Sequence, residues 1–354
     1  MPDDPLPMIH IAIIGTGGMA NVHAEKFNAI RGCRVTAACD VDEKRVREFA
    51  AKHKIPNVFT SVDALLKFGG FDAVTNVTPD RFHAPISLAV LRKGKHVLCE
   101  KPLALNYADA AKMTRAAKKA GVINMVNFSY RNNSSVHKAH DLVREGALGR
   151  ILHVEAIYFQ SWLAQNAWGD WRTSPGLLWR LATKHGSLGV LGDVGVHLLD
   201  FATYPAGDIA SVHCKLKTFR KAPRDKVGEY HLDANDSAVI TAELANGALG
   251  SFRTTRWATG HNNSITLSIF GEEGALRIDL DKSGSELELC RIEDRKTGPW
   301  TKVDCGVTPS IYERFVTSIK KGVNDQPDFA RGAAIQKALD ACVQSDREDR
   351  TVAL

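Results

Sequence analysis

A glycine-rich turn between a buried strand and a helix constrains the fold of this chain more than any other feature. Residues 9–20 read IHIAIIGTGGMA, with an apolar run that ends where the glycines begin. Gly15 permits a tight turn, Gly17 lets a pyrophosphate approach the backbone, and Ala20 allows helix and strand to pack closely. The N–H groups and dipole of the following helix would face the phosphates. The predicted cofactor turn comprises Gly15, Thr16, Gly17, Gly18, Met19 and Ala20.

The residues after the turn favour NAD over NADP. Apolar residues continue at helical spacing through Ile30, and a second apolar run over 34–39 ends at Asp40. That position lies about 20 residues past the turn, where a carboxylate can accept hydrogen bonds from the ribose hydroxyls and repel a 2′-phosphate. Arg45 is the nearest arginine, and we interpret it as a helix surface residue that borders the cofactor. We therefore predict an NAD site.

The two parts of the chain follow different patterns. From residue 9 to 128, strands alternate with helices, which predicts a doubly wound parallel sheet. Later, apolar residues alternate over 238–244, and Asn246-Gly247 and the segment 272–274 favour hairpins. We predict an α/β Rossmann domain over 1–125. An α+β domain with a largely antiparallel open sheet, for substrate binding and oligomerisation, is predicted over 126–354.

Composition argues against several other classes of function. The net charge of the 354 residues is +6, and the densest basic cluster, over 220–226, has no interleaved aromatic residue, so nucleic-acid binding is not indicated. Seven widely spaced cysteines without a C-x-x-C pair argue against structural zinc, and we predict no metal site. Residues 1–7 lack the apolar core of a signal peptide, and no run is long enough to span a bilayer. We predict a cytoplasmic protein with no membrane partner.

Two groups of residues could carry chemistry. Lys101 directly follows the predicted strand over 96–99, and ligands of parallel sheets bind at the carboxyl ends of strands. A lone lysine there is more often a surface residue. Asp193, His197 and Asp200 have spacings of four and three residues, so they would share one face of a helix. A buried histidine held by a carboxylate is the alternative interpretation.

The segment from Gly94 to Ala104, GKHVLCEKPLA, resembles the signature of the glucose–fructose oxidoreductase, inositol dehydrogenase and rhizopine-catabolism (GFO/IDH/MocA) family. The resemblance extends over essentially the whole chain, and residues 15–20, 126–131 and 192–197 support it. It implies a catalytic set of Lys101, Asp193 and His197. It also implies that the cofactor site includes Thr78, Pro79, His83, Glu100, Lys101 and Asn127.

Those residue types suit the oxidation of an alcohol by hydride transfer. The reaction needs a base for the hydroxyl proton, and the intrinsic pKa of histidine suits His197 to that role. Lys101 would stabilise negative charge that develops on the oxygen. Asp193 would orient His197 or the substrate hydroxyl. Either Lys101 or His197 could be the formal base.

A tryptophan-rich segment is expected to shape the substrate pocket, because aromatic faces stack on sugar rings. Around Trp162 and Trp179 the sequence is similar to the family branch that includes levoglucosan dehydrogenase. Leu188 departs from that branch, which has a small residue at this position, and it would alter the pocket wall. The predicted substrate residues are Lys101, Arg131, Trp162, Trp179, Arg180, Asp193 and His197.

These observations predict an NAD-dependent dehydrogenase of a sugar, anhydrosugar or cyclitol. Three alternatives share the fold: a non-catalytic dinucleotide sensor, a glycoside hydrolase that recycles NAD, and an NADP-linked ketose or imine reductase. We also expect a homodimer or homotetramer that pairs through the uncovered face of the C-terminal sheet.

Overall fold

The computed structural model describes residues 8–166, 168–185, 187–294 and 298–354. Residues 1–7, on which the prediction about a signal peptide depends, lie outside the described residues. The chain forms two compact units. The first combines Met1–Ser129 with Pro309–Gln336, and the second combines Tyr130–Thr308 with Lys337–Leu354.

The first unit contains a parallel sheet that is six-stranded within the described residues, in the order β3-β2-β1-β4-β5-β6. This order is that of a dinucleotide-binding Rossmann sheet, so the predicted α/β class is confirmed. Its strands are β1 (Ile9–Ile14), β2 (Cys33–Cys39), β3 (Asn57–Phe59), β4 (Ala73–Asn76), β5 (His96–Cys99) and β6 (Asn124–Val126). The helices between them are α1 (Gly18–Ala29), α2 (Glu43–His53), α3 (Val62–Phe68), α4 (His83–Arg92) and α5 (Tyr107–Ala120).

Local sequence signals account for the helix ends. The Asn106 side chain accepts a hydrogen bond from the Asp109 N–H at the start of α5. At the other end Gly121 adopts the left-handed conformation and stops the helix. These ends place the glycine turn, Asp40, Thr78, Lys101 and Asn127 after the carboxyl ends of successive strands, where Rossmann sheets bind ligands.

The second unit contains a mixed sheet that is nine-stranded within the described residues, in the order β16-β15-β14-β13-β7-β12-β11-β8-β17. Only the β7–β12 pair is parallel among these described neighbours, so the predicted largely antiparallel sheet is confirmed. The strands are β7 (Ile151–Gln160), β8 (Ile209–Lys217), β9 (Lys226–Val227), β10 (Tyr230–His231), β11 (Ser237–Leu244), β12 (Leu249–Thr255), β13 (Asn263–Gly271), β14 (Gly274–Asp279), β15 (Glu286–Arg291), β16 (Thr301–Asp304) and β17 (Val352–Ala353), of which β9 and β10 form a separate hairpin.

Helices α6 (Ser134–Arg144) and α8 (Val196–Ala206) pack on this sheet, and α7 (Pro175–Leu178) is a single short turn. The helix predicted to begin at Asp193 instead opens with a π-helical turn over Leu191–Gly195, and α8 follows it. Among the described residues, no helix has the length and apolar character needed to cross a membrane.

The last helices are α9 (Ile311–Lys321) and α10 (Phe329–Glu348). The predicted boundary near residue 125 assigned all later residues to the second domain, whereas Pro309–Gln336 clusters with the first unit. The reason is the apolar face of α9: Tyr312 and Phe315 lie 5.2 and 6.3 Å from the ring of Phe27 on α1. The division into functional domains at 125 stays a prediction.

Candidate active site

The turn after β1 has the geometry that a phosphate-binding turn needs. Gly15 has a φ of +88°, and a Cβ there would lie 2.7 Å from the Val77 carbonyl oxygen. A Cβ on Gly17 or Gly18 would meet no atom within 4 Å. Gly17 caps α1 without a side-chain hydrogen bond, so no side chain of its own occupies the first N–H groups of the helix. The turn therefore fits a dinucleotide pyrophosphate.

Asp40, at the end of β2, is bound from both sides. Its Oδ2 accepts hydrogen bonds from the Thr16 N–H at 2.8 Å and from the Thr16 hydroxyl at 2.9 Å. Arg45 donates from Nε to Oδ2 at 3.1 Å and from Nη2 to Oδ1 at 2.6 Å. Burial on its own would raise the pKa of Asp40, but these hydrogen bonds outweigh it and lower the pKa to about 2. Arg45 is thus more than the helix surface residue the sequence suggested, because it forms a bidentate pair with the ribose-site carboxylate.

His83 connects two of the predicted cofactor loops. Its Nδ1 lies 2.6 Å from the Pro102 carbonyl oxygen and its Nε2 lies 2.8 Å from that of Thr78. Carbonyl oxygens only accept, so both ring nitrogens must donate and the ring is an imidazolium. Burial on its own would lower the pKa of His83, but Cys99, Asp80 and the Pro102 carbonyl outweigh it and raise the pKa to about 10. His83 is fully buried and contacts the carbonyl oxygens of both loops.

Glu100 and Asn127 belong to a buried polar network behind Lys101. The Glu100 Oε1 atom lies 2.9 Å from His23 Nε2 and 2.6 Å from Asn127 Nδ2, and Asn127 also donates to the Tyr312 hydroxyl at 3.2 Å. Glu100 Oε2 accepts from the Lys101 N–H at 3.2 Å. Lys101 itself is half-buried. Because the network holds its N–H and His83 holds the carbonyl of the next residue, the backbone at Lys101 is tethered on both sides.

The buried network around Glu100 should make the stability of the protein depend on pH. Burial on its own would raise the pKa of Glu100, but the hydrogen bond and charge of His23 and the charge of Lys101 lower it from 4.5 to about 2. A depressed pKa contributes stability above the unfolded value, and that contribution is lost as the pH falls through the folded value. We expect Glu100→Gln to lower the free energy of unfolding by about 3 kcal/mol at pH 7, and by less than half of that at pH 3.

Urea unfolding at the two pH values measures this difference. Glu43→Gln is the matched control, because Glu43 forms an exposed ion pair with Arg47 at 2.7 Å on α2. Exposed pairs contribute little, so the control should change stability only slightly at either pH. A loss of equal size at pH 7 and pH 3 for Glu100→Gln would show that the ionised carboxylate does not stabilise the fold.

In the second unit, the π-helical turn that carries Asp193 is held from its N-terminal side. Gly189 has a φ of +68°, and a side chain there would collide with Asn235. The Asn235 side chain accepts from the Leu191 N–H at 3.0 Å, and its carbonyl accepts from the Val190 N–H at 2.8 Å. π-helical turns occur frequently at functional sites. The Leu188 side chain packs over Gly192, so the residue that departs from the family branch occupies space beside Asp193.

Two arginines approach the Asp193 carboxylate. Arg256 Nη2 donates to Asp193 Oδ2 at 2.8 Å, and Arg180 Nε lies 3.4 Å from the same oxygen. The Arg256 side chain is fully buried, whereas 24 % of the Asp193 side chain is exposed. Opposite charges at this distance favour the ionised carboxylate. Asp193 is therefore suited to act as a fixed negative charge.

His197 lies one turn beyond Asp193, on α8, and is 8 % exposed. The ring of Tyr130 meets it edge-on at 5.1 Å, and the hydroxyls of Tyr130 and Tyr158 lie 2.6 Å apart. Asn263 accepts from the Tyr158 hydroxyl at 3.0 Å and donates to that of Tyr130 at 3.1 Å. Burial raises the pKa of Tyr158 above its usual range, and the neighbouring Tyr130 adds a smaller contribution in the same direction. The His197 ring therefore packs against one tyrosine of a hydrogen-bonded polar cluster.

Two models of one protein family match the chain. The model described as the oxidoreductase family, NAD-binding Rossmann fold, matches residues 9–128. The GFO/IDH/MocA C-terminal domain model matches residues 136–277. The chain belongs to the GFO/IDH/MocA oxidoreductase family. The resemblance found in the sequence is thereby confirmed, and the first unit is an NAD-binding Rossmann domain.

Individual relatives of this GFO/IDH/MocA chain are dehydrogenases. Levoglucosan dehydrogenase of Pseudarthrobacter phenanthrenivorans is 28% identical over 97% of this chain and 97% of its own length. Myo-inositol 2-dehydrogenase of Thermotoga maritima is 29% identical over 77% of this chain and 75% of its own length. A solved levoglucosan dehydrogenase complex with NADH and L-sorbose superimposes with a TM-score of 0.88 at 27% identity, and covers 98% of this chain and 99% of the other.

In this family member, the side chains of two predicted substrate residues form buried contacts within the second unit. Arg131 forms a bidentate pair with Asp200 at 2.7 Å, and both side chains are 2 % exposed. Trp162 is buried and donates its indole N–H to Gln160 at 3.0 Å. Asp200 therefore pairs with Arg131, and these residues support the fold of the unit. Trp179 and Arg180 are half-buried, with the guanidinium 4.8 Å from the indole ring.

Sequence reasoning missed Arg256, Tyr130, Tyr158 and Asn263. A usable signal existed for Tyr158, because it occupies an inward-facing position of β7, where the other buried residues are mostly apolar. No sequence signal linked Arg256 to Asp193, which lies 63 residues earlier. Among the described residues, no cluster of three or more histidine, cysteine, aspartate or glutamate side chains could hold a metal ion.

Proposed function

We propose that this protein is an NAD-dependent dehydrogenase that oxidises a secondary hydroxyl of a sugar, anhydrosugar or cyclitol to a ketone. One observation carries the proposal. This member of the family has Lys101 at the carboxyl end of β5 and has Asp193 and His197 on consecutive helical turns. The relatives named levoglucosan dehydrogenase and myo-inositol 2-dehydrogenase support this substrate class.

When bound, NAD accepts the hydride from the substrate carbon. The glycine turn and the N-terminus of α1 would bind the pyrophosphate, and Asp40 the adenosine ribose. Either His197 removes the hydroxyl proton while Lys101, as an ammonium, stabilises the charge that develops on oxygen, or Lys101 as a neutral amine accepts the proton and becomes the ammonium. Asp193, hydrogen-bonded by the Arg256 guanidinium, orients the hydroxyl or His197. We assign substrate contact to Lys101, Trp179, Arg180, Asp193 and His197, and supporting roles to Arg131 and Trp162.

Arg45 bears on the choice between NAD and NADP. Its guanidinium already donates to both Asp40 oxygens, so the ribose hydroxyls of NAD must share the carboxylate with it or displace it. An arginine at this place can also accommodate a 2′-phosphate, although the Asp40 charge disfavours one. Comparison of the Kd of NAD with that of NADP tests the assignment, and we expect tighter binding of NAD.

The activity test incubates the protein with NAD and a panel of sugars, anhydrosugars and cyclitols. NADH formation is measured by absorbance, and the ketone product is then identified. An increase in NADH absorbance with at least one of these compounds supports the proposal. No turnover of any compound despite NAD binding would instead favour a non-catalytic dinucleotide sensor. Cleavage of a glycoside with trace NAD and no net NADH would identify a hydrolase. Reduction of a ketose or imine with NADPH that is faster than oxidation of any alcohol with NAD would identify a reductase.

We infer that copies of the chain associate through the uncovered face of the C-terminal sheet. Leu249 and Phe270 are exposed and both pair with His153, so they lie on one face of the sheet. Val239 and Ile157 lie in a second row of that face, opposite each other across β12. An apolar, partly exposed face of this kind suits a homodimer or homotetramer. Sedimentation equilibrium checks this, and a monomer at micromolar concentration would exclude it.

We also place the protein in the cytoplasm. All seven cysteines are free thiols, and five of them are buried. Free thiols are typical of a reducing compartment, whereas oxidising compartments favour disulfides. Fractionation of the source cells would check this location.

A further inference from the structure

We infer that Arg256 is a positioning residue for catalysis, which acts by fixing the Asp193 carboxylate in its orientation and charge. The inference rests on the proposed function, because it takes Asp193 as a group that contacts substrate or His197. Arg256 follows β12 and has no role assigned by the sequence or by the family resemblance.

The guanidinium joins two segments of the second unit. Nη2 donates to Asp193 Oδ2 at 2.8 Å, on the π-helical turn. Nη1 donates to the carbonyl oxygen of Arg180 at 3.1 Å. The backbone of Arg256 is itself anchored, because its N–H donates to the Asp236 carbonyl at 3.0 Å and its own carbonyl accepts from the Leu163 N–H at 3.2 Å. The cation is thus held by backbone bonds and points its two terminal nitrogens at the site.

Burial of this cation is costly, and its surroundings offset only part of the cost. The Arg256 side chain is fully buried, with the guanidinium 5.0 Å from the centre of the Trp162 ring. Burial lowers the pKa of Arg256, and the charge of Asp193 opposes that effect. Because an arginine remains protonated in proteins, the buried charge persists and needs its anion.

The Arg131–Asp200 pair in the same unit provides a comparison. Both of its side chains are 2 % exposed, so solvent reaches neither partner. This pair therefore has a role within the fold. In the Arg256–Asp193 pair the cation is fully buried while the anion is 24 % exposed. A buried cation that holds a partly accessible carboxylate is the arrangement expected when the carboxylate must keep one orientation towards a bound molecule.

The charges around Asp193 define what the loss of Arg256 should do. Within the second unit they include Arg180, whose Nε lies 3.4 Å from Oδ2. Burial raises the pKa of Tyr158, and the Asp193 charge adds a smaller contribution in the same direction. Burial lowers the pKa of Arg256, and the charge of Asp236, like that of Asp193, opposes this effect. Without Arg256, Asp193 keeps only the longer contact with Arg180 of these two cations. The carboxylate would then rotate and bind a proton at higher pH, which lowers kcat more than it raises KM.

The test compares Arg256→Lys and Arg256→Gln with Asp193→Asn and with the double variant Arg256→Gln/Asp193→Asn. Arg144→Gln is the matched control, because the Arg144 side chain at the end of α6 is 72 % exposed. We expect Arg256→Gln to lower kcat by about 10- to 100-fold, and to move the acid limb of the kcat profile upward by about one pH unit. Arg256→Lys should recover part of both changes, and Arg144→Gln should alter neither.

The double variant separates a positioning role from a structural one. If Arg256 acts through Asp193, adding Arg256→Gln to Asp193→Asn should cost less than twofold in kcat. Full additivity, or an unmoved pH profile in a folded Arg256→Gln variant, would overturn the inference. If Arg256→Gln does not fold, the pH profile of Arg256→Lys decides in its place. Wild-type activity in Asp193→Asn would refute the role assigned to Asp193. Absence of dehydrogenase activity in the wild-type protein would instead refute the proposed function, so the two failures are distinguishable.

Discussion

Replacement of Lys101 by methionine should lower kcat by about a thousandfold and leave NAD affinity within a few-fold of wild type. Methionine keeps most of the length of lysine and removes the ammonium. A preorganised positive group at the developing alkoxide is worth about 10²–10³ in rate, and a positioned base a similar factor. The tethers on Glu100 and Pro102 hold the backbone and not the ammonium, so the loop should keep its place. Steady-state kinetics and a fluorescence titration with NAD measure the two quantities.

Lys93→Met is the control for this prediction, because Lys93 is exposed and caps the C-terminal end of α4. It should retain full activity. If Lys101→Met keeps more than a tenth of wild-type kcat, Lys101 is not a catalytic group, and His197 would have to supply both the base and the charge stabilisation. A loss of NAD binding without a change in kcat at saturation would assign Lys101 to the cofactor alone.

Replacement of Gly15 by alanine should weaken NAD binding by more than a hundredfold and lower the free energy of unfolding by about 2–4 kcal/mol. The φ of +88° disfavours any residue with a Cβ, and that Cβ would lie 2.7 Å from the Val77 carbonyl oxygen and 2.8 Å from the Thr78 nitrogen. These contacts are backbone atoms, so relief requires the turn and the β4 loop to separate. Thermal unfolding and NAD titration measure the effect.

Gly18→Ala is the matched comparison for that turn. Gly18 begins α1, and a Cβ at this position meets no atom within 4 Å. Alanine should therefore leave stability unchanged or raise it slightly, since it favours the helix. Equal stability of the Gly15→Ala and Gly18→Ala variants would mean that the turn tolerates a side chain at both positions, contrary to the geometry.

Where the signal is local, sequence and structure agree closely. The apolar run before the glycine turn and the strand predicted over 96–99 coincide with β1 and β5 of the structure. In these segments an apolar run or a helical pattern ends at a glycine, proline or capping residue, so the limits depend on neighbours in the chain. Family motifs likewise placed Lys101 at the end of β5 without any knowledge of the strand order.

The sequence by itself thus determined the class of each unit, the cofactor turn and the reactive residue types. Tertiary structure alone decided which distant residues meet: α9 packs against α1, Arg45 pairs with Asp40 across a turn, and Arg256 holds Asp193. It also showed that Arg131 and Trp162, two of the predicted substrate residues, are buried and hydrogen-bonded to Asp200 and Gln160. Such pairings depend on how buried charges and apolar faces find partners in three dimensions, and sequence spacing does not encode that choice.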